Sequence, residues 1–194
     1  MTPPDPYTRR LESLSGARWK RLLHVQAPYR RNLRRLEPGY VLDVGCGIGR
    51  NLRHLDGHGI GIDTSSSSVA TARTQGCTAY TVDKFQEAPE AQPGSFDSLL
   101  FAHVLEHMDR DDARDLVALY LPYLRSEGAV IVIVPQEAGF ATDDTHVNFL
   151  DQHDVTDILT DQGLNVEKNY SFPFPRVVGK VFRYNESVVT ARSR

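Results

Sequence analysis

The chain has 194 residues, 40% hydrophobic and 24% charged, with a formal net charge of −3, which suits one globular domain with its own core. Its two cysteines, Cys46 and Cys77, lack CxxC spacing, which excludes a disulfide scaffold and a cysteine zinc site and suits a reducing compartment. No apolar run approaches the roughly 18 residues of a membrane span. The opening MTPPDPYTRR has no apolar signal-peptide stretch, so a cytoplasmic location is expected.

The Pro-rich start, 2–6, reads as irregular. From 9 to 36 the apolar residues Leu11, Leu14, Trp19, Leu22, Leu23, Val25, Leu33 and Leu36 recur at helical spacing, broken at Pro28, which predicts two helices. Residues 1–40 hold nine Arg/Lys against three acids, a local charge of +6. Such an arm is either a solvated helix face paired with the acidic body or a grip on RNA, anionic lipid or an acidic protein. The first reading is adopted, so nucleic acid is not expected as a partner.

After Pro38-Gly39 short apolar runs alternate with helical stretches. Strands are predicted at 40–44, 59–62, 79–82, 98–102 and 129–134. Helices are predicted at 50–55, 66–75 and 111–124, the last with Asp109 as N-cap. A further helix at 152–162 is capped by Asp151 and ended by Gly163. Strands at 165–172 and 180–190 close the chain as an antiparallel hairpin. This is an α/β pattern, a doubly wound and mostly parallel sheet of seven strands with helices on both faces. A single domain, 1–194, is expected, with cap helices over 1–38 and a Rossmann-like core over 39–194.

In such a sheet a ligand sits beyond the carboxyl ends of the strands. The first strand–helix turn, DVGCGIG, carries Asp43, Gly45, Cys46, Gly47 and Gly49. Its glycines permit a sharp turn and a close ligand approach. The dinucleotide pattern GxGxxG fails in both alignments, because Arg50 or Leu52 stands at the third glycine. The acid opening the motif would repel a diphosphate, yet it can anchor an ammonium group. Asp63 ends the second strand, twenty residues later, where it can accept bonds from ribose hydroxyls. Asp83, Lys84 and Phe85 follow the third, placing an acid to receive an adenine amino group and a ring beside the base.

These segments, VLDVGCGIGR, GIGID, VDKF, FDSLLFAHVLEHM and LRSEGAVIVIVP, resemble the successive motifs of class I S-adenosylmethionine-dependent methyltransferases over about residues 40–165. The resemblance implies strand order 3-2-1-4-5-7-6, with S-adenosylmethionine bound over the glycine turn and S-adenosylhomocysteine as product. It further implies Asp43 at the methionine end, Asp63 at the ribose and Asp83 at the adenine amino group. Thr64, Lys84, Phe85, Ala102 and His103 complete the expected cofactor contacts. Cys46 is read as a small packing residue rather than a nucleophile.

The fourth strand ends in FAHV and lacks the [DN]PP[YFW] element found where exocyclic or amide nitrogens are methylated. Residues 103–107 match instead the HVLEH pattern of small-molecule and lipid-quinone methyltransferases. His103 is thus a contact residue or a base, Glu106 an acceptor contact, and His107 part of a helix start. The polar loop 136–148 follows the fifth strand and is long enough to be functional. Its His146 is either the general base, oriented by Asp143 or Asp144, or a loop-closing residue. Asp143, Asp144 and His146, with His103 or Glu106 as further ligands, would alternatively hold Mg²⁺. Tyr7, Trp19, His24 and Tyr29 are candidates to line the acceptor site, and the aromatic, basic segment 171–184 to wall it.

The expected acceptor is a hydroxylated small molecule, preferably a sugar or oligosaccharide. A looser resemblance is to sugar O-methyltransferases of methylmannose-type polysaccharide synthesis. The alternatives are an RNA or protein methyltransferase using the basic arm, a quinone or other lipid or natural-product O- or C-methyltransferase, and a non-catalytic binding module. Oligomeric state is not readable from the sequence.

Overall fold

The structure is a computed structural model that describes residues 26–193. The expected helix before Pro28, and with it Tyr7, Trp19 and His24, lies outside those residues. The described chain forms one seven-stranded sheet in the order β3-β2-β1-β4-β5-β7-β6. Two compact units divide the chain, Met1–Ala91 and Gln92–Arg194. Among the described residues no helix is long and apolar enough to cross a membrane.

The first unit opens with α1 (Ala27–Arg35), which carries Pro28 in its first turn. Proline is tolerated there because that N–H would have no helical partner. One face of α1 docks on the next helix, α2 (Arg50–His54): Arg34 donates from Nε to the His54 carbonyl at 2.6 Å and pairs with Asp56 at 2.7 Å. For that arginine the expectation of a helix face paired within the body holds.

Strands β1 (Val41–Val44), β2 (Gly59–Asp63) and β3 (Ala79–Thr81) pair in parallel. Every residue of β1 and β2 is buried. Strands covered on both faces read as continuous apolar runs, so Asp43 and Asp63 stand out as the polar exceptions. Asp43 lies opposite Gly61 in the ladder. A Cβ on Gly61 would come within 2.5 Å of the Cys46 Sγ and 2.9 Å of Leu52, so the glycine lets β2 approach the turn after β1. Gly61→Ala is expected to cost about 1–3 kcal/mol through overpacking, measured by urea denaturation. No loss of stability would refute that packing argument.

Helix α3 (Ser66–Thr74) is capped by Ser65, whose hydroxyl accepts from the Ser68 N–H. β3 stops at Thr81 rather than Val82, because a single helical turn, α4 (Val82–Phe85), begins there.

In the second unit β4 (Phe96–Ala102) pairs in parallel with β5 (Leu124–Pro135). Between them α5 (Arg110–Tyr120) starts on the expected cap, Asp109, which accepts from the Asp112 N–H at 2.9 Å. The helix ends four residues earlier than expected. Pro122 falls in a 3-10 turn, Leu121–Tyr123, and β5 then starts at Leu124 instead of 129.

A short α6 (Glu137–Phe140) follows β5. Helix α7 (Gln152–Asp161) begins with a capping box in which Asp151 and Asp154 each accept from the other's backbone N–H. Arg110 at the start of α5 pairs with Asp154 and Asp157, tying α5 to α7.

β6 (Asn165–Phe172) and β7 (Glu186–Arg192) are antiparallel, and β7 lies between β6 and β5. β7 starts at Glu186 rather than at 180. Residues 173–185 form an irregular crossing that contains a 3-10 turn, Arg176–Lys180.

Candidate functional site

The first unit carries the glycine turn. Gly45, Gly47 and Gly49 have φ of 74°, 53° and 77°. A residue with a Cβ would cost roughly 1–2 kcal/mol at each. The amides of Gly45 and Cys46 donate to the Ile62 carbonyl at 2.8 and 3.0 Å, hooking the turn onto β2. Asp63 then clasps it: Oδ2 accepts from the Gly47 N–H at 2.8 Å, and Oδ1 from the Ser65 N–H at 2.8 Å. Each oxygen keeps a lone pair for a further donor. The helix behind the turn has five residues, too short for a macrodipole of consequence.

Asp43 is only 1% exposed, and neither carboxylate oxygen has a hydrogen bond. Burial pushes its carboxyl up to about 7; neighbouring Asn51 and Arg50 pull the other way, and Asp63 adds to the rise. An orphaned buried carboxylate calls for a cationic donor, because leaving such a group unsatisfied is costly. An amino-acid ammonium fits that need and a phosphate does not. Burial, and then Asp43 and Asp63, push the Cys46 thiol far up, away from the thiolate, and the side chain is buried in the turn.

Thr64, Asp83 and Lys84 are exposed, with Lys84 paired to Glu87 at 2.8 Å. Phe85 departs from expectation. At 1% exposure its ring belongs to the core and has no face to offer an adenine. The cause is the helical turn that replaces the end of the predicted strand.

In the second unit Ala102 ends β4 as a buried residue, and His103 follows in the left-handed region at φ 61°. Its N–H donates to the Ile133 carbonyl at 2.9 Å. Its ring bridges two acids, Nε2 to Glu186 at 2.9 Å and Nδ1 toward Glu106 at 3.3 Å. Burial alone would lower the imidazole pKa, but the two carboxylates outweigh it and raise it to about 9. With both ring nitrogens facing carboxylates, His103 has the geometry of a held cation and not of a base.

Glu106 is fully buried in the 3-10 turn Leu105–His107, and neither of its carboxylate oxygens has a hydrogen bond. Its carbonyl accepts from the amides of Val147 and Asn148 at 2.9 and 3.2 Å, which fixes the predicted loop against the turn. His146 donates from Nδ1 to the Phe140 carbonyl at 2.8 Å and stacks on the Phe140 ring. Its Nε2 then stands 3.9 Å from Glu106. His107 donates from Nδ1 to the Thr145 carbonyl at 3.1 Å.

Of the expected residues, the structure thus brings together His103, Glu106 and His146. Asp143 lies one step removed, accepting from the Thr145 hydroxyl at 2.7 Å, and Asp144 is exposed. Neither aspartate joins the cluster of potential metal ligands found among the described residues, which is Glu106, His107 and His146. His107 and Glu186 were not read as site residues. His107 was legible within HVLEH, and Glu186 as the one acid of its strand. In the segment 171–184, Phe174, Val177 and Val181 are exposed, and Arg176 forms a two-pronged pair with Glu137.

A family model described as a methyltransferase domain matches residues 12–169. The tabtoxin biosynthesis enzyme of Pseudomonas amygdali pv. tabaci is similar at 26% identity over 188 residues, covering 90% of this chain and 69% of that one. Among solved structures, an S-adenosylmethionine-dependent methyltransferase from Archaeoglobus fulgidus matches with TM-score 0.70 and 18% identity, over 97% of this chain and 100% of that one. Magnesium protoporphyrin IX methyltransferase from Synechocystis PCC 6803, solved with bound S-adenosylhomocysteine, matches with TM-score 0.62 and 17% identity, over 87% and 85%. The structural likenesses speak to the fold alone.

Proposed function

Because the chain belongs to the methyltransferase-domain family and has the class I strand order, we propose that it transfers the methyl group of S-adenosylmethionine to a hydroxyl of a small molecule. The observation that carries the cofactor assignment is Asp43, a buried carboxylate beside a left-handed glycine turn, with Asn51 and Arg50 as neighbours and no hydrogen bond closed on either oxygen. In this reading Asp43 receives the methionine ammonium, and the free lone pairs of Asp63 receive the ribose hydroxyls. Asp83, exposed on α4, receives the adenine amino group, with Thr64 and Lys84 flanking the nucleoside. When bound, the cofactor supplies a methyl group activated on a sulfonium.

In the second unit, the groups suited to an acceptor lie in the cluster at the end of β4. An attacking hydroxyl must lose its proton, and the groups with lone pairs there are Glu106 and the Nε2 atoms of His107 and His146. His103, paired with Glu186, holds the wall of that cluster. The concentration of hydrogen-bonding side chains favours a hydroxylated acceptor, and a sugar hydroxyl is our preferred one. The similarity to a tabtoxin biosynthesis enzyme makes a natural-product hydroxyl the next reading. Nucleic acid is not our preferred acceptor; Arg34 of the basic arm pairs with His54 and Asp56 instead of standing free. The two unpaired, buried cysteines suit a cytoplasmic setting.

Asp63→Ala is the direct test of the cofactor half. It removes the ribose acceptor and the clasp on Gly47 together. Calorimetry with S-adenosylhomocysteine is expected to show affinity reduced by about 10- to 100-fold, the equivalent of one charge-assisted hydrogen bond. Unchanged affinity would remove Asp63 from the site. An acceptor screen with labelled cofactor over oligosaccharides, phenols, quinones and RNA tests the acceptor. Methyl transfer to RNA alone would overturn the small-molecule reading.

A further inference from the structure

We propose that Glu106, His107 and His146 form a binding site for a divalent first-row transition ion, of which Zn²⁺ and Co²⁺ are representative. Their potential ligand atoms all lie within 4.8 Å of one another, and the His146 Nε2 and Glu106 Oε1 are 3.9 Å apart. An ion about 2.0–2.2 Å from each ligand spans up to about 4 Å, so it bridges that gap without rearranging the backbone.

Three observations mark this as a built site rather than a chance cluster. The Glu106 carboxylate is fully buried; the His103 ring faces its Oε1 at 3.3 Å, and its Oε2 meets no donor within hydrogen-bonding geometry. A buried carboxylate oxygen without a donor is costly, and an ion on that side of the group would satisfy it. Both histidines are also held from behind. His146 Nδ1 faces the Phe140 carbonyl, and His107 Nδ1 faces the Thr145 carbonyl. A carbonyl only accepts, so each Nδ1 carries a proton, and Nε2 is the ring nitrogen left for an ion.

Backing of this kind is what orients ligating histidines and sets their tautomer. It extends one step further at His107. The Thr145 hydroxyl gives its proton to Asp143 at 2.7 Å, which leaves its lone pair facing His107 Nδ1 at 3.2 Å. Finally, the loop carrying His146 is pinned to the turn carrying Glu106, through the Val147 and Asn148 amides on the Glu106 carbonyl.

The donor set decides the class of ion. Two imidazole nitrogens and one carboxylate suit borderline ions such as Zn²⁺, Co²⁺ or Fe²⁺. Mg²⁺ and Ca²⁺ take oxygen ligands and fit poorly. The site therefore replaces the expected Mg²⁺ seat on Asp143 and Asp144, and it gives Asp143 the role of orienting a ligand through Thr145. Three protein ligands leave a coordination position for water or for an acceptor oxygen. That last use rests on the function proposed above, whereas the ion site does not.

The test uses the full chain, stripped with a chelator and titrated with Co²⁺ while visible absorption is followed, then with Zn²⁺ in a calorimeter. One ion per chain is expected, with a Co²⁺ spectrum of low coordination number. Glu106→Gln and His107→Ala should each weaken binding by more than the about 10- to 100-fold that losing an outer-shell partner costs. His153→Ala, at an exposed position on α7, should leave binding unchanged. Folding of every variant is checked by its thermal transition, and the isosteric Glu106→Gln guards against a variant that fails to fold. Absence of Co²⁺ or Zn²⁺ uptake, or equal uptake by Glu106→Gln and His107→Ala, overturns the site. Binding of S-adenosylhomocysteine by the same sample separates the two readings. A chain that holds the nucleoside but no ion loses only the metal site, and one that holds the ion but no nucleoside loses only the proposed function.

Discussion

Asp43→Asn is expected to weaken S-adenosylhomocysteine binding by roughly 10- to 150-fold and, at pH 8, to make the ligand-free protein more stable. The two effects have one cause. The Asp43 carboxylate is buried without a hydrogen bond, so it is available to a ligand and a burden without one. Asparagine keeps the shape but forgoes a charge-assisted bond of about 1.5–3 kcal/mol, which is the loss in affinity.

The pH dependence follows from burial, which raises the folded-state pKa from 3.8 to about 7. Below pH 4 the group is protonated in both states and has no effect on stability. Between pH 4 and 7 the unfolded chain ionises while the folded one holds its proton, so stability falls. Above pH 7 the whole penalty is present, of the order of 4 kcal/mol at 1.36 kcal/mol per pKa unit. Urea denaturation at pH 5 and pH 8 should show a decline in the wild type that Asp43→Asn removes. In the wild type, affinity for the nucleoside should rise as pH increases through 7 and the carboxylate forms. Equal stability of the two proteins at pH 8, together with equal affinity, would remove Asp43 from its assigned role.

Asn185→Ala is expected to destabilise the second unit by about 3–5 kcal/mol. Asn185 is completely buried. Its Nδ2 donates to the Gln136 Oε1 at 2.9 Å and to the Phe174 carbonyl at 3.1 Å, while its Oδ1 accepts from the Phe174 N–H at 2.9 Å. Gln136, 1% exposed, passes the network on to the Ser171 hydroxyl and the Glu186 carbonyl. Truncation leaves several buried groups unsatisfied at about 1–3 kcal/mol each, with partial relief from water. Because Glu186 follows directly, the His103–Glu186 pair should loosen as well. A lower midpoint in urea, together with faster amide exchange across 173–187, is the expected record. A change under 1 kcal/mol would mean that the network is dispensable.

Asn185 also shows where the sequence stops being readable. Residues 180–184 are apolar and aromatic enough to look like strand, and the predicted β7 begins there. What prevents a strand is the knot between Gln136 and Asn185, whose members are 49 residues apart. No local pattern carries that information. The same holds for the early end of α5, although there Pro122 was a visible signal. The parallel strands β1, β2 and β4 were legible because burial on both faces demands apolar runs, and the flanking glycines and acids mark their ends.

The candidate site divides along the same line. The glycine turn, Asp43 and Asp63 follow from local motifs, since turn geometry and strand ends are set by neighbours in sequence. Phe85 was misplaced because one helical turn rotates its ring into the core. In the second unit HVLEH located the cluster but not its internal division of labour. Glu186 lies 83 residues from His103, and the loop acid that matters is decided by a Thr145 hydroxyl whose partners are invisible in a linear pattern.

The left-handed backbone at His103 bears on which substitutions this position would tolerate. Glycine would adopt φ 61° without penalty, and asparagine nearly so, whereas histidine gives up about 1–2 kcal/mol in that conformation. A turn chosen for the backbone alone would therefore drift toward glycine or asparagine. Histidine is the better choice there only if its imidazolium, clamped between Glu106 and Glu186, returns more than the strain removes. Of the two simplest replacements, asparagine would relax the main chain and abandon two carboxylates to each other, so a gain in local comfort would come with a repulsive, poorly defined pocket. By this measure the ring works against the preference of the chain that carries it.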